Sequence, residues 1–255
     1  MAAARLEGAA CPMPCRTFRE VFSRVESGAA DAGVVPVENS LAGSISETYD
    51  LLLSHSLLVT GETVLPVEHC LLALPGTRLA QIREVLSHPQ ALAQCDDYLS
   101  RLRAEAVPYY DTAGAAKYVS SAGRTEAAAI ASRRAAQVYD LEILAEGIQS
   151  NPDNYTRFYR VERTARSRGN RNKTVIAVGL PHRPGSLVTA LLPFSTYRVN
   201  LTKIESRPVR DKPWQYIFYL EYEGHVEDEN IRLALEELKQ NASLLRILGS
   251  FQAEG

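Results

Sequence analysis

From Thr17 to Glu162 the chain alternates helix-period stretches with short apolar runs, and this alternation is what most narrows the folds open to it. TFREVFSRVESG (Thr17–Gly28) reads as a helix with a Thr17/Glu20 capping box, with Phe18, Val21, Phe22 and Val25 on one face, and with Gly28 as its stop. AGVVPV (Ala32–Val37) is a buried strand running into the polar turn ENSLAGS, and a helix follows over roughly Ile45–Ser54. Further strands are expected near Val59–Leu65, in HCLLALPG, ending at VLSHP, and in AAAIAS and EILAEG. The stretches Gln90–Ala104, AGAAKYVSS and RRAAQVYD are helical, the first with Leu92, Cys95, Leu99 and Leu102 on one face. The order predicts an α/β fold with one or two mostly parallel sheets covered by helices.

ERTARSRGNRNK (Glu162–Lys173) interrupts the pattern with four arginines, one lysine and almost nothing apolar, and reads as a solvated connector. Beyond it, TVIAVGL, VNLTKIESRPV, WQYIFYLEYEG and LLRILGSF read as strands, with helices at PGSLVTALLPFS and ENIRLALEELKQNA. That is βαββαβ, a ferredoxin-like α+β unit. Expected boundaries are therefore residues 1–161, a linker at 162–172 and a second domain at 173–255.

Composition removes several classes of function. With 28 basic against 30 acidic residues the chain has no field to draw in nucleic acid or an anionic membrane, so a small-molecule ligand is expected. No apolar run approaches the roughly 20 residues of a bilayer span. Cys11, Cys15, Cys70 and Cys95 are too scattered for a disulfide framework, and no basic-then-apolar leader precedes them, so the expectation is a cytoplasmic protein with reduced thiols. Cys11 and Cys15 lack a second Cys/His pair at ligand spacing, and no metal site is expected.

Polar clusters gather at expected strand ends and helix starts: Glu38-Asn39-Ser40, Ser87-His88-Pro89-Gln90 with Gln94, Asp111-Thr112-Ala113, and Asn154-Tyr155-Thr156-Arg157-Phe158. Taken singly, each is as readily a turn or a helix cap. As a set they offer hydroxyls, amides, helix N-termini and one arginine, which suits a carboxylate-bearing ligand. No glycine-rich phosphate cradle, paired carboxylates or Ser/His/Asp elbow accompanies them.

GVVPVENSLAGSISETYDLLL, LPVEHCLLALPG, LSHPQALAQC, YDTAGAAKYV, AAIAS and NYTRF, in this order and followed by KIESRP, resemble the prephenate dehydratase family with a C-terminal ACT regulatory domain, from about Cys15 to Phe251. The resemblance implies two α/β lobes of the periplasmic-binding-protein type, crossed near Thr63–Val67 and again near Leu144–Gly147. It implies decarboxylating dehydration of prephenate to phenylpyruvate in phenylalanine biosynthesis, without a cofactor, in a homodimer or homotetramer. Thr156 carries over as the catalytic hydroxyl, with Arg157 and Phe158 completing its motif. Arg157 is open to two readings, a carboxylate clamp or a structural ion pair. Glu38, Asn39, Ser40, Ser87, Gln90, Gln94, Thr112 and Ala113 carry over as substrate-binding positions. Asp111 and His88 are weaker candidates, because an anion beside a dicarboxylate helps only by orienting a donor and His88 precedes a proline.

The family's phenylalanine site maps to Gly185, Ser186, Leu187, Asn200, Leu201, Glu205, Ser206, Arg207 and Pro208. Two departures stand there: GSL replaces the usual GAL, and no glycine precedes the Val199-Asn200-Leu201 run. The family normally opens with a further β-strand and a glycine-rich loop, whereas MAAARLEGAA resembles the helix after that loop. Two alternatives follow, arogenate dehydratase and a non-catalytic phenylalanine-binding protein.

Overall fold

The computed structural model describes residues 1–8, 11–209 and 215–254. Its chain divides into two compact units, Met1–Leu65 with Thr156–Gly255, and Pro66–Tyr155. The first begins with α1 (Ala2–Glu7), α2 (Phe18–Glu26), β1 (Ala32–Asn39), β2 (Gly43–Ser44), α3 (Ser46–Ser54) and β3 (Leu58–Pro66). At the start of α2, Thr17 Oγ1 accepts the Glu20 N–H at 3.1 Å, as the capping box requires. The return bond differs: the Glu20 carboxylate takes the N–H of Arg16, at 2.8 Å, and not that of Thr17.

The second unit holds β4 (Cys70–Ala73), β5 (Glu84–Ser87), α4 (Pro89–Gln94), α5 (Asp96–Leu102), β6 (Glu105–Pro108), α6 (Thr112–Ala122), β7 (Ala127–Ala131), α7 (Arg133–Val138) and β8 (Glu142–Ala145). Its sheet runs β6-β5-β7-β4-β8. Only β5 with β6 and β7 is parallel; β4 is antiparallel to both its neighbours, so the sheet is mixed rather than mostly parallel. The helix expected over Gln90–Ala104 is two helices, because Cys95 leaves helical geometry at φ −114° and ψ 17°. The return expected near Leu144–Gly147 does not occur there, since β8 is bound to β4 and the chain leaves this unit only after Tyr155.

It re-enters the first unit as β9 (Tyr155–Glu162), which completes an N-terminal sheet ordered β2-β1-β9-β3. Here β1 is antiparallel to both neighbours, again against the parallel expectation: β9 is a returning strand, not the next step of a βαβ crossover. The chain ends in β10 (Asn172–Gly179), α8 (Ser186–Thr196), β11 (Leu201–Pro208), β12 (Tyr216–Glu223), α9 (Glu229–Asn241) and β13 (Leu244–Gln252). This C-terminal sheet runs β11-β12-β10-β13, all antiparallel, which is the ferredoxin-like order. Trp214, read as part of a strand, and Ala9 and Ala10 of the opening segment lie outside the described residues.

Alternation explains the apolar run of β10, which is buried on two sides. Ile176 and Val178 pack with Ala190 and Phe194 of α8 and with Ile231, Ala234 and Leu238 of α9. Val175 and Ala177 face the other way, into a cluster shared with Val35, Val37, Val59, Tyr159 and Val161 of the N-terminal sheet and Phe22 and Val25 of α2. The two sheets thus build one core. The basic connector is pinned to it: Arg163 donates to the carbonyl of Ala30 at 2.8 Å, Arg166 pairs with Glu162 at 3.0 Å and Arg168 with Asp228 at 2.6 Å.

The approach is tight at Gly249, where a Cβ would stand 2.0 Å from the carbonyl oxygen of Val59, a backbone atom that no rotamer change can move. Gly249→Ala is expected to lower the unfolding free energy by about 1–3 kcal/mol, as overpacking does. Denaturant titration against the unaltered chain checks it; an unchanged midpoint would mean that the sheets do not meet there.

Candidate active site

In the first unit the site is set by the pairing of β1 with β9. The ladder runs regularly to Pro36 opposite Phe158, then slips by one residue, so that Glu38 faces Arg157 and Asn39 faces Thr156. Pro36 has no N–H to give the ladder, and the bulge sits directly after it. Paired residues point to the same side, so Asn39 and Thr156 share one face and Glu38 and Arg157 the other.

Asn39 Oδ1 accepts the backbone N–H groups of Leu41 at 3.1 Å and Ala42 at 2.9 Å. Those two bonds fix the amide orientation, and Nδ2 donates to Thr156 Oγ1 at 3.1 Å. With its oxygen accepting from Asn39, the Thr156 hydroxyl keeps its own proton to donate.

Arg157, on the opposite face, is enclosed by acids. Its guanidinium holds Glu221 of β12 in a fork, at 2.6 and 2.7 Å, and reaches Glu38 at 3.0 Å and Glu62 at 3.5 Å. The Tyr159 hydroxyl also donates to Glu221, Lys173 pairs with Glu62 at 2.7 Å and Lys203 with Glu38 at 2.8 Å. Of the two readings of Arg157, this geometry matches the structural ion pair. Burial works against its charge, but Tyr159, Glu221 and Glu38 outweigh that and raise its pKa above the ordinary value. Partial burial likewise works against the Glu38 carboxylate, and Lys203 followed by Arg157 overcomes it, holding Glu38 below the usual range. Phe158 is half-buried opposite Pro36, and Ser40 is exposed in the turn after β1.

The second unit contains its own polar group. Gln94 Oε1 receives Asn154 Nδ2 at 2.9 Å and lies 2.8 Å from His69 Nε2. Because Oε1 can only accept, His69 carries its proton on Nε2, and the Gln94 amide turns its NH2 group away from both. Gln90 is exposed, with its N–H on the His88 ring at 3.2 Å, so His88 caps α4. Asp111 caps α6 by accepting the Gly114 N–H, leaving Thr112 and Ala113 in the first turn. Ser87 is not gathered with them: it is fully buried and its hydroxyl donates to the Ile130 carbonyl at 2.6 Å.

The positions carried over for phenylalanine separate. Gly185 adopts φ +81° at the start of α8, and Ser186 and Leu187 line a pocket with Tyr216 and Phe218. Asn200 donates to Glu223 at 3.1 Å, and Leu201 opens β11. Glu205 and Arg207 turn to the other side of β11, where Glu205 accepts from Ser44 at 2.7 Å and Arg207 reaches Asp50 at 3.4 Å, while Ser206 and Pro208 are exposed.

Sequence reasoning missed His69, Glu62, Lys203 and Glu221. For Glu221 a signal exists: in YIFYLEYE it occupies the side of β12 taken by Ile217 and Tyr219, an acid on a core-facing stripe.

A βαββαβ unit packed on an α/β sheet, with a threonine hydroxyl beside an asparagine amide, defines an α/β fold joined to a ferredoxin-like domain. A sequence model of prephenate dehydratase matches residues 1–166, and the chain belongs to the prephenate dehydratase family. It is 44% identical over 253 residues to arogenate dehydratase/prephenate dehydratase 2, chloroplastic, of Arabidopsis thaliana, covering 95% of this chain and 66% of that protein. Arogenate dehydratase 2 of Petunia hybrida is 41% identical over 258 residues, with the same shares of 95% and 66%. The chain thus spans just under two-thirds of the length of these relatives. A prephenate dehydratase from Arthrobacter aurescens in complex with L-Phe superposes with a TM-score of 0.90 at 34% identity, over 98% of this chain and 85% of that one. A structure described as GqqA, a novel type of quorum quenching acylase, superposes with a TM-score of 0.92 at 34% identity, over 99% of this chain and 93% of that one.

Glu38 gives the site an acid-side signature. Its folded-state pKa is depressed, so the stability it contributes is present above its unfolded pKa and is lost as pH falls through the folded value. Below about pH 4.3, the unperturbed glutamate value, the chain is expected to lose stability more steeply than its Glu38→Gln variant, as read by thermal melts across pH. Parallel curves would contradict the ion pairs to Lys203 and Arg157.

Proposed function

We propose that this chain is a prephenate dehydratase, and the observation that carries the reading is the Asn39–Thr156 hydrogen bond, which leaves the threonine proton free to donate. Breaking the bond between the ring and its carboxylate releases carbon dioxide. That electron pair makes the ring aromatic and expels the ring hydroxyl as hydroxide, which takes a proton and leaves as water. The enzyme's main task is to stabilise charge on the departing oxygen, and a positioned O–H donor does so without a perturbed acid. Asn39 strengthens the donor by bonding to its oxygen. The amide of Gln94, with its oxygen held by Asn154 and His69, is a second donor suited to a carboxylate. Ser40, Gln90, Thr112 and Ala113 complete the proposed substrate positions. Glu38, Arg157 and Ser87 support the framework.

Arogenate is a specific second substrate, because the plant relatives are named for it. An acylase reading has less support. A threonine nucleophile needs a base to take its proton, and the group on Thr156 Oγ1 is an amide donor.

The ferredoxin-like domain fits an ACT domain that senses L-phenylalanine, the ligand bound by the Arthrobacter relative. Gly185, Ser186, Leu187, Asn200, Leu201 and Glu205–Pro208 are the proposed effector positions, Glu205 acting through Ser44 of the N-terminal sheet and Arg207 through Asp50 of α3. Assembly as a dimer or tetramer belongs to the same reading. No described helix is long and apolar enough to cross a membrane, and the free cysteines suit a reducing compartment, the cytoplasm or a plastid.

Incubated with prephenate, the chain is expected to form phenylpyruvate, read by its absorbance. Thr156→Ala is expected to cut kcat by about 10²–10³-fold, the usual cost of removing one such donor, while Thr156→Ser keeps most of it. No product from prephenate but turnover of arogenate would select the second substrate. Turnover of neither, or full activity in Thr156→Ala, would overturn the reading.

A further inference from the structure

A carboxylate with 2% exposure is costly to bury, and a buried ion pair is often replaceable by apolar residues without loss of stability. Stability alone therefore does not account for Glu221. Its position does. Arg157, which it holds in a two-bond fork, stands across the ladder from Glu38, and Glu38 is held by Lys203 at 2.8 Å. The pair Glu38/Arg157 directly adjoins the pair Asn39/Thr156, whose side chains emerge on the other face. The C-terminal sheet thus grips both strands one residue from the reactive pair, with an anion from β12 on β9 and a cation from β11 on β1. Tyr159 tightens the first grip from two residues further along, its hydroxyl on Glu221 and its ring 5.4 Å from the Arg157 guanidinium carbon.

We infer that Glu221 and Lys203 are positioning residues that set the separation of Asn39 from Thr156 and so aim the catalytic hydroxyl. This rests on the reading of Thr156 as the proton donor. Neither residue reaches the reactive face, so their effect falls on the alignment of the donor and not on the affinity for substrate. A misplacement of about 1 Å costs up to about 10²-fold in rate.

The test uses the full chain with Glu221→Gln, Glu221→Asp and Lys203→Met. Arg246→Met is the control, because Arg246 ties β13 to the end of α3 through the carbonyls of Leu53, at 2.6 Å, and His55, away from the ladder. Kinetics on prephenate, or on arogenate where that is the substrate, are measured with the melting midpoint and with the NMR signals of the Asn39 side-chain amide.

Glu221→Gln and Lys203→Met are expected to lower kcat by about tenfold or more with KM within about twofold, to shift the Asn39 amide signals, and to be partly rescued in Glu221→Asp. Arg246→Met is expected to lower the midpoint while leaving kcat and those signals in place. Unchanged kcat in Glu221→Gln and Lys203→Met, or an equal loss in Arg246→Met, would overturn the inference. Should Glu221→Gln fail to fold, Lys203→Met decides alone. Should the unaltered chain turn over neither substrate, the functional reading fails, and unmoved Asn39 signals would then overturn the positioning role separately.

Discussion

The core that the N-terminal sheet shares with the C-terminal sheet is what the rest of the first unit depends on. Val35, Val37, Val59, Tyr159 and Val161 are completed by Val175, Ala177, Tyr219, Leu248 and Phe251, and each valine, leucine or phenylalanine among them removed from water contributes about 1.5–3 kcal/mol. A sheet of four strands, one of them two residues long, has little core of its own. The ferredoxin-like domain is therefore a structural layer of the unit that carries Thr156, and Gly249 allows its backbone to touch that of Val59.

The same seam explains where the charges sit. Glu62, Glu221 and Arg157 occupy the edge of a largely apolar interface, and each would be expensive there without a counterion. The geometry satisfies them together: Lys173 and Arg157 share Glu62, Arg157 and Tyr159 share Glu221, and Lys203 and Arg157 share Glu38. From β11 the charged residues Lys203, Glu205 and Arg207 all turn to the N-terminal side, toward Glu38, Ser44 and Asp50. Alternate residues of KIESRP therefore grip the N-terminal sheet, through Lys203 and Glu205, and helix α3, through Arg207.

Much of this was legible in the residues. The 3.6-residue spacing of Phe18, Val21, Phe22 and Val25 marked α2, and the βαββαβ order of the C-terminal domain followed from where apolar runs and helix faces lay. Sheet direction was not legible, because a strand's residues encode which faces are buried and not the direction of a neighbour brought in from over a hundred residues away, as β9 is to β1. Nor was the slip after Pro36, which decides that Asn39 rather than Glu38 meets Thr156. His69 was hidden for a related reason: its partner Gln94 lies 25 residues on, joined to it only by folding.

The motif Asn-Tyr-Thr-Arg-Phe can now be read as physics. In a strand, alternate residues face opposite sides, so a threonine that presents its hydroxyl on one face obliges its neighbour to enter the other. That other face is the interface with the C-terminal sheet, where a neutral or small residue would leave Glu221 a buried anion without its counterion, while Glu62 would keep Lys173. An arginine satisfies several acids at once with a rigid fork, which a lysine cannot do. The residue beside Thr156 is thus dictated by what lies behind the sheet, and the hydroxyl of one face and the cohesion of the other are written into consecutive positions of β9.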